Sequence, residues 1–399
     1  MIATGAEEQI LICAARPLLD AAAGERLQQL LRSDLDWDHL LHLAERHCIV
    51  PLICRQLNSI SVFAIPANAL ATLQAANHDN TNATLFLTAE LIKLVDLLAE
   101  KEIPAIPLKG PTLAVRAYGD IGLRQFGDLD LLVRPADVNR LRELLFENGF
   151  TSHQSLTSAQ EAALQRFDCS CNFISKHGVV LDVHWGLVDR HHGFAIDTDA
   201  FFQRLQRVMV NGRELHTLST ENLLLFLCLH GFTHFWERLS WICDVAALVS
   251  IDREIDWKLL LQTARAHGTL RILLLGLWLS HDVLAASLPP DILNTIETDP
   301  VIKHVGQEVE QQLFMETRNA DGVFGEAALL LRLRERKRDQ LRSAISLLGA
   351  PRRYDRMFVS VPQSFSFLYY LIRPARLAAK YGKQIFRSTK PDKAVPVKR

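Results

Sequence analysis

The chain has 399 residues, 49% of them hydrophobic and 22% charged, with a formal net charge of −1. This composition excludes a disordered or low-complexity chain and allows two or three globular units. Glu7 and Glu8 near the start argue against a signal peptide, and the longest apolar run, Ile272 to Leu279, is far short of a membrane span. Cysteines at 13, 48, 54, 169, 171, 228 and 243 form an odd, scattered set, which fits buried free thiols in a reducing cytoplasm better than a disulfide framework.

Residues 1–99 read as a helical lobe. Trp37, Leu40, Leu41 and Ala44 form an apolar stripe at helical spacing, with Ser33 or Asp34 placed to cap it. A second stripe, with Leu91, Leu94, Leu97 and Leu98, starts near Leu85 and ends near Lys101.

Residues 100–216 carry a different pattern. Ile106-Pro107-Leu108 is a short apolar strand, broken by Lys109-Gly110-Pro111 just before a helix through Thr112–Ala117. Free backbone N–H groups and the helix dipole at such a start form a cradle for phosphate. Lys109 adds charge there, and Arg124 is a candidate for a second phosphate contact. Asp128-Leu129-Asp130 then leads into the buried strand Leu131-Leu132-Val133. Strand side chains alternate, so the two aspartates share a face, and their mutual repulsion calls for a hard cation such as Mg²⁺ or Mn²⁺.

Pro135 opens a helix through Leu141, Leu144 and Leu145 that Gly149 stops. Strands are expected near Cys171–Ile174 and Val179–Val183, the latter carrying Asp182 and, on the same face, His184. Laid beside the first acidic strand, it would add a third carboxylate. Three carboxylates can hold two ions, one acidifying an attacking hydroxyl and one neutralising a triphosphate leaving group.

Residues 217–387 are helical again from Ser219 onward. His230 and His234 lie one turn apart, followed by Trp241 and Asp244. The histidine pair lacks the glutamate of H-E-x-x-H, and Cys169-Ser170-Cys171 lacks a second cysteine pair, so neither reads as a zinc site. No P-loop, G-x-G-x-x-G or G-x-S-x-G is present, which removes the footing for kinase, dehydrogenase and esterase readings. From Leu331 onward 18 Lys or Arg face 4 Asp or Glu, about +14, leaving about −15 on the rest. Residues 365–386 mix aromatics with Arg373, Arg376, Lys380 and Lys383. That stretch suits an anionic membrane, nucleic acid or the acidic remainder of the protein itself. Packing on the protein is the favoured expectation, because its apolar residues need burial. Residues 388–399 have the composition of a disordered tail.

The order of glycine turn and helix, D-x-D strand, then a single aspartate on a later strand resembles the nucleotidyltransferase superfamily with the DNA polymerase β-like core. The wording KGPTLAVRAYGDIGLRQFGDLDLLV, with LDVHWGL and LHGFTHFWERLSWICDVAAL after it, is similar to one poorly characterised bacterial branch. The chain departs from the superfamily at the turn, where Lys109 takes the place of the usual first glycine. The resemblance implies an α+β fold, a small mixed sheet flanked by helical lobes. It also implies metal carboxylates at Asp128, Asp130 and Asp182, and a phosphate turn at Lys109-Gly110. The expected reaction moves a nucleoside monophosphate from an NTP, ATP first among them, to an acceptor hydroxyl, with His184, His234 and Asp244 toward the acceptor side. The acceptor is left open among small molecules, saccharides, protein and RNA. The alternatives are a non-catalytic nucleotide- or partner-binding module and an RNA-modifying enzyme that uses the basic C-terminal segment.

Overall fold

A computed structural model describes residues 5–16, 19–59, 65–152, 168–315, 322–350, 352 and 363–376. The chain opens with helices α1 (Ala6–Ala14), α2 (Ala21–Leu30), α3 (Trp37–Arg46), α4 (Val50–Ser59) and α5 (Ala67–Glu100). Asp36, and not Ser33 or Asp34, caps α3, its carboxylate accepting from the His39 amide at 3.0 Å. Ser33 instead bonds the Leu30 carbonyl, closing off the preceding helix. The stripe from Leu85 to Leu98 is the second half of the 34-residue α5. There Leu87, Leu91, Leu94 and Leu98, spaced by three and four residues, pack beneath the sheet.

That sheet has five strands, β1 (Ala105–Pro107), β2 (Asp128–Val133), β3 (Thr151–Ser152), β4 (Ser170–Ile174) and β5 (Val180–His184), in the order β1-β2-β5-β4-β3. Only the central β2–β5 pair is parallel. The fold is therefore α+β with a small mixed sheet, as expected. Helix α6 (Pro111–Tyr118) fills the crossing from β1 to β2, and α7 (Val138–Glu147) follows β2. Alternation sorts β2 in two: Leu129, Leu131 and Val133 enter the core shared with α5 and α7, while Leu132 enters the larger core of the helical lobes.

A hairpin not anticipated from the sequence follows, β6 (Leu205–Val210) with β7 (Arg213–Leu218). Its turn, Asn211-Gly212, has φ of 48° and 79°. Two left-handed residues with this pair of side chains are the strongest short-range hairpin signal, and it was there to be read. Thr217 on β7 donates to the Pro107 carbonyl at 2.9 Å, which ties the hairpin to β1.

The helices that follow include α8 (Thr220–Thr233), α9 (Leu239–Ile251), α10 (Trp257–His267), α11 (Leu270–Leu284), α12 (Pro290–Glu297), α13 (Pro300–Leu313), α14 (Gly322–Leu333) and α15 (Lys337–Gly349). Ser219 caps α8, its hydroxyl accepting from the Asn222 amide. Between α8 and α9 the chain reverses through Phe235 and Trp236, both left-handed at φ 56° and 54°. The strain is held by the fully buried Trp236 ring, which occupies the notch left by Gly231 and Gly276. A Cβ at either glycine would lie within 3 Å of that ring. N-terminal residues such as Leu11 and Ile53 and C-terminal ones such as Leu224 and Leu275 share one core cluster.

Two of the basic residues near the C-terminus, Arg334 and Arg373, are buried. Arg334 donates to Ser343 and to the Gly268 and Gly193 carbonyls, and Arg373 donates to the Leu347 carbonyl. Tyr369 is buried as well, packed with Leu368 and Ile372. Residues 377–386, and the tail at 388–399, lie outside the described residues. All seven cysteines are free. No described helix is long and apolar enough to cross a membrane.

Candidate active site

The site begins at the parallel pair. Register sets Asp128 opposite Val180, Asp130 opposite Asp182 and Leu132 opposite His184, so Asp128, Asp130, Asp182 and His184 share one face of the sheet. On the other side of β5, Asn172 of β4 stands opposite Asp182 and donates to its carboxylate.

Asp130 is the most enclosed of the acids, only 5% exposed. Lys109 Nζ lies 3.1 Å from its Oδ2 and His184 Nε2 lies 3.2 Å from its Oδ1. Burial alone would raise this carboxyl, but Lys109 and then His184 overcome it and hold it well below the ordinary carboxylate range. Lys109 meets Oδ2 as a charge without hydrogen-bond geometry, so this buried oxygen makes no hydrogen bond. Asp128 and Asp182 shift the other way, raised first by burial and then by the charge of Asp130.

The ligand atoms of Asp130, Asp182 and His184 all lie within 4.8 Å of one another. A non-hydrogen-bonded buried oxygen, a second carboxylate and an imidazole fit a divalent cation. This set differs from the expected trio: among the described residues Asp128 completes no such cluster, and His184 takes its place.

Upstream, the turn after β1 forms as expected. Gly110 caps α6 with φ 63° and ψ −132°, a conformation that disfavours any residue with a Cβ, and Pro111 occupies the first helical position. The amides of the first turn have no intrahelical acceptor. A Cβ on Gly110 would meet Phe126 at 3.8 Å and the Asp128 carbonyl at 3.9 Å, so the turn lies directly against the acidic strand.

Arg124 and Asp244 are placed differently from the expectation. Arg124 is buried, and its Nε and Nη2 donate to the two carboxylate oxygens of Asp244, each at 2.9 Å. Tyr118 donates to the same carboxylate at 2.9 Å. Two guanidinium nitrogens are thus committed to Asp244, so Arg124 is not a free cation for phosphate and Asp244 is not a free carboxylate for an acceptor. Burial disfavours the Arg124 charge, yet Asp244 more than offsets it and the pKa rises. Tyr118 is pushed well up, by burial and then by Asp244.

One turn before Asp244 on α9, Trp241 meets His230 and His234 of the α8 end, with ring centroids 5.4 and 5.2 Å away. Arg238 lies 5.6 Å over the Trp241 ring. Both histidines are pushed toward the neutral form, by burial and then by the Lys109 charge, which places this group beside the acidic face. Sequence reasoning had not picked out Asn172 or Tyr118. Asn172 was legible in principle, as the polar residue alternating between Cys171 and Phe173 on an expected strand.

Residues 33–285 match the model of a family described as uncharacterised nucleotidyltransferases. Among solved structures, a lincosamide antibiotic adenylyltransferase, LnuA, with lincomycin bound, matches at 15% identity over 41% of this chain and 97% of that one, with a TM-score of 0.28. No curated protein matches the sequence.

Proposed function

The chain belongs to this nucleotidyltransferase family, and we propose that it transfers a nucleoside monophosphate from ATP to an acceptor hydroxyl, releasing pyrophosphate. The observation that carries this reading is the register of β2 on β5. It sets Asp130 against Asp182 on a face whose neighbour is the Gly110 turn at the start of α6. Acids that bind cations and amides that bind phosphate then lie side by side, as a nucleotide–metal complex requires.

Asp130, Asp182 and His184 would hold the cation, with Asp128 close by on the same strand face. When bound, Mg²⁺ or Mn²⁺ would supply charge neutralisation for the triphosphate and polarise the acceptor hydroxyl. The Gly110 turn receives the phosphates. Lys109, held at Asp130, is one side-chain swing from exchanging that carboxylate for a phosphate oxygen. Asp182, whose carboxyl is raised by burial and then by Asp130 and which Asn172 orients, accepts the acceptor proton. The freed oxygen bonds to the α-phosphorus, and the bond from that phosphorus to the bridging oxygen breaks. Pyrophosphate leaves with the electron pair.

The test is binding of ATP, GTP, CTP and UTP with and without Mg²⁺, comparing wild type with the double variant Asp128→Ala, Asp130→Ala. Metal-dependent binding of ATP that disappears in the variant supports the reading. Wild-type protein that binds none of the four would sink it.

A further inference from the structure

Helix α15 exposes an apolar stripe. Leu341, Ile345 and Leu348, spaced by four and three residues, share one face and are 63%, 63% and 64% exposed. Among the described residues, no large apolar side chain outside 341–371 is more than 57% exposed. Single exposed leucines are ordinary on a protein surface, but a run of them along one helical face marks a contact surface.

The helix cannot turn to bury this stripe, because its opposite face is already docked. Ser343 and Leu347 are buried there. Ser343 donates to the His192 carbonyl at 2.8 Å and accepts from Arg334 at 2.9 Å, and Ser346 donates to the Arg190 carbonyl at 3.2 Å. Arg373 donates to the Leu347 carbonyl, which sets residues 363–376 beside the end of α15. That segment adds Phe365, Phe367 and Leu371, all exposed.

Charge identifies what covers the stripe. Lys337, Arg338 and Arg342 flank it and are exposed. The one acid of the helix, Asp339, lies toward the docked side, 3.4 Å from Arg338 Nε. These residues belong to the segment that carries about +14, against about −15 on the rest. A second copy related by a two-fold axis would bring two basic segments together. Residues 353–362 and 377–399 of the same chain are themselves net basic. Nucleic acid would answer the charge but offers no apolar medium to aliphatic side chains. An anionic lipid surface answers both the charge and the stripe.

We propose that α15 docks this protein on an anionic lipid bilayer. Leu341, Ile345 and Leu348 enter the boundary between headgroups and acyl chains, and Lys337, Arg338 and Arg342 meet the lipid phosphates. The attachment is peripheral, since no described helix is long and apolar enough to cross a membrane. Three apolar side chains and a few cations give reversible binding that salt weakens.

The test is flotation of the full-length protein with vesicles of phosphatidylcholine alone or mixed with phosphatidylserine, at low and raised salt. Wild type is expected to float with the mixed vesicles and about tenfold less with the neutral ones or at raised salt. The variant Leu341→Ser, Ile345→Ser, Leu348→Ser should bind the mixed vesicles about tenfold more weakly, and Arg338→Glu, Arg342→Glu likewise, with unchanged urea midpoints. Wild-type protein that does not float with the mixed vesicles overturns the proposal, as does equal flotation of the triple-serine variant. A lowered urea midpoint in that variant would show the stripe covered by the chain itself. A wild-type dimer that the variant dissociates would assign it to a second copy, and retention on an RNA oligonucleotide without flotation would assign the basic segment to nucleic acid. Each of these three results also overturns the proposal.

Discussion

Arg124 with Asp244 and Lys109 with Asp130 are both buried pairs of one basic and one acidic residue, yet they are finished differently. In the first pair two parallel N–H donors and a tyrosine hydroxyl satisfy both carboxylate oxygens. In the second, Asp130 Oδ2 is met by a charge and by no hydrogen bond. A closed network holds two parts of the fold together, here the strand approach at Arg124 and helix α9. An open one keeps coordination in reserve for a ligand.

The sharpest way to break this contrast is to remove one partner of the closed pair. Arg124→Ala is expected to lower stability by about 3–5 kcal/mol, because Asp244 would be left buried and uncompensated. Urea denaturation would show it, and Arg124→Met with Asp244→Leu should recover much of the loss. Next in size is Asp130→Asn, which leaves the shape but removes the charge facing Lys109 and His184. Transfer should fall about 10²–10³-fold, with a loss of stability smaller than that of Arg124→Ala, because Asp128 still faces Lys109.

Gly110→Ala places a Cβ where φ is 63°. The strain of about 1–3 kcal/mol should fall on the phosphate turn and weaken ATP binding about tenfold or more, measured by calorimetry. Asn172→Ala removes one hydrogen bond to Asp182, at a cost of about 1 kcal/mol, and should reduce transfer severalfold without altering ATP affinity.

The finest distinction is in titration. Carbon-13 NMR of the metal-free protein should find Asp128 and Asp182 titrating above an ordinary aspartate and Asp130 below it. The sign carries into the rate. A raised carboxyl holds its proton to higher pH, so the base form of Asp182 is lost early as pH falls and transfer falls with it. Asp130 has the opposite linkage to folding. Its depressed carboxyl contributes stability above the ordinary aspartate range, which is lost as pH falls through the lowered value.

Much of the core was legible before the fold was seen. The glycine turn needs a residue without Cβ, the acidic strand needs alternation, and both are local requirements written in adjacent residues. His184 was readable for the same reason, two positions beyond Asp182 on one strand. The Asn211-Gly212 hairpin was equally local and went unread. Arg124 and Asp244 were not readable in this way. An arginine four residues before the acidic strand looks the same whether it will meet phosphate or a carboxylate on a helix 120 residues later.

By itself, then, the sequence determined the strands, the turn and the facing of the carboxylates, because backbone periodicity and glycine's freedom act over a few residues. Only the tertiary structure decided which charges are closed and which stay open. It brought Lys109 to Asp130, Tyr118 and Arg124 to Asp244, and α15 to the turn at Arg190. Partner choice between distant charged groups depends on burial and packing, which no short stretch of chain encodes.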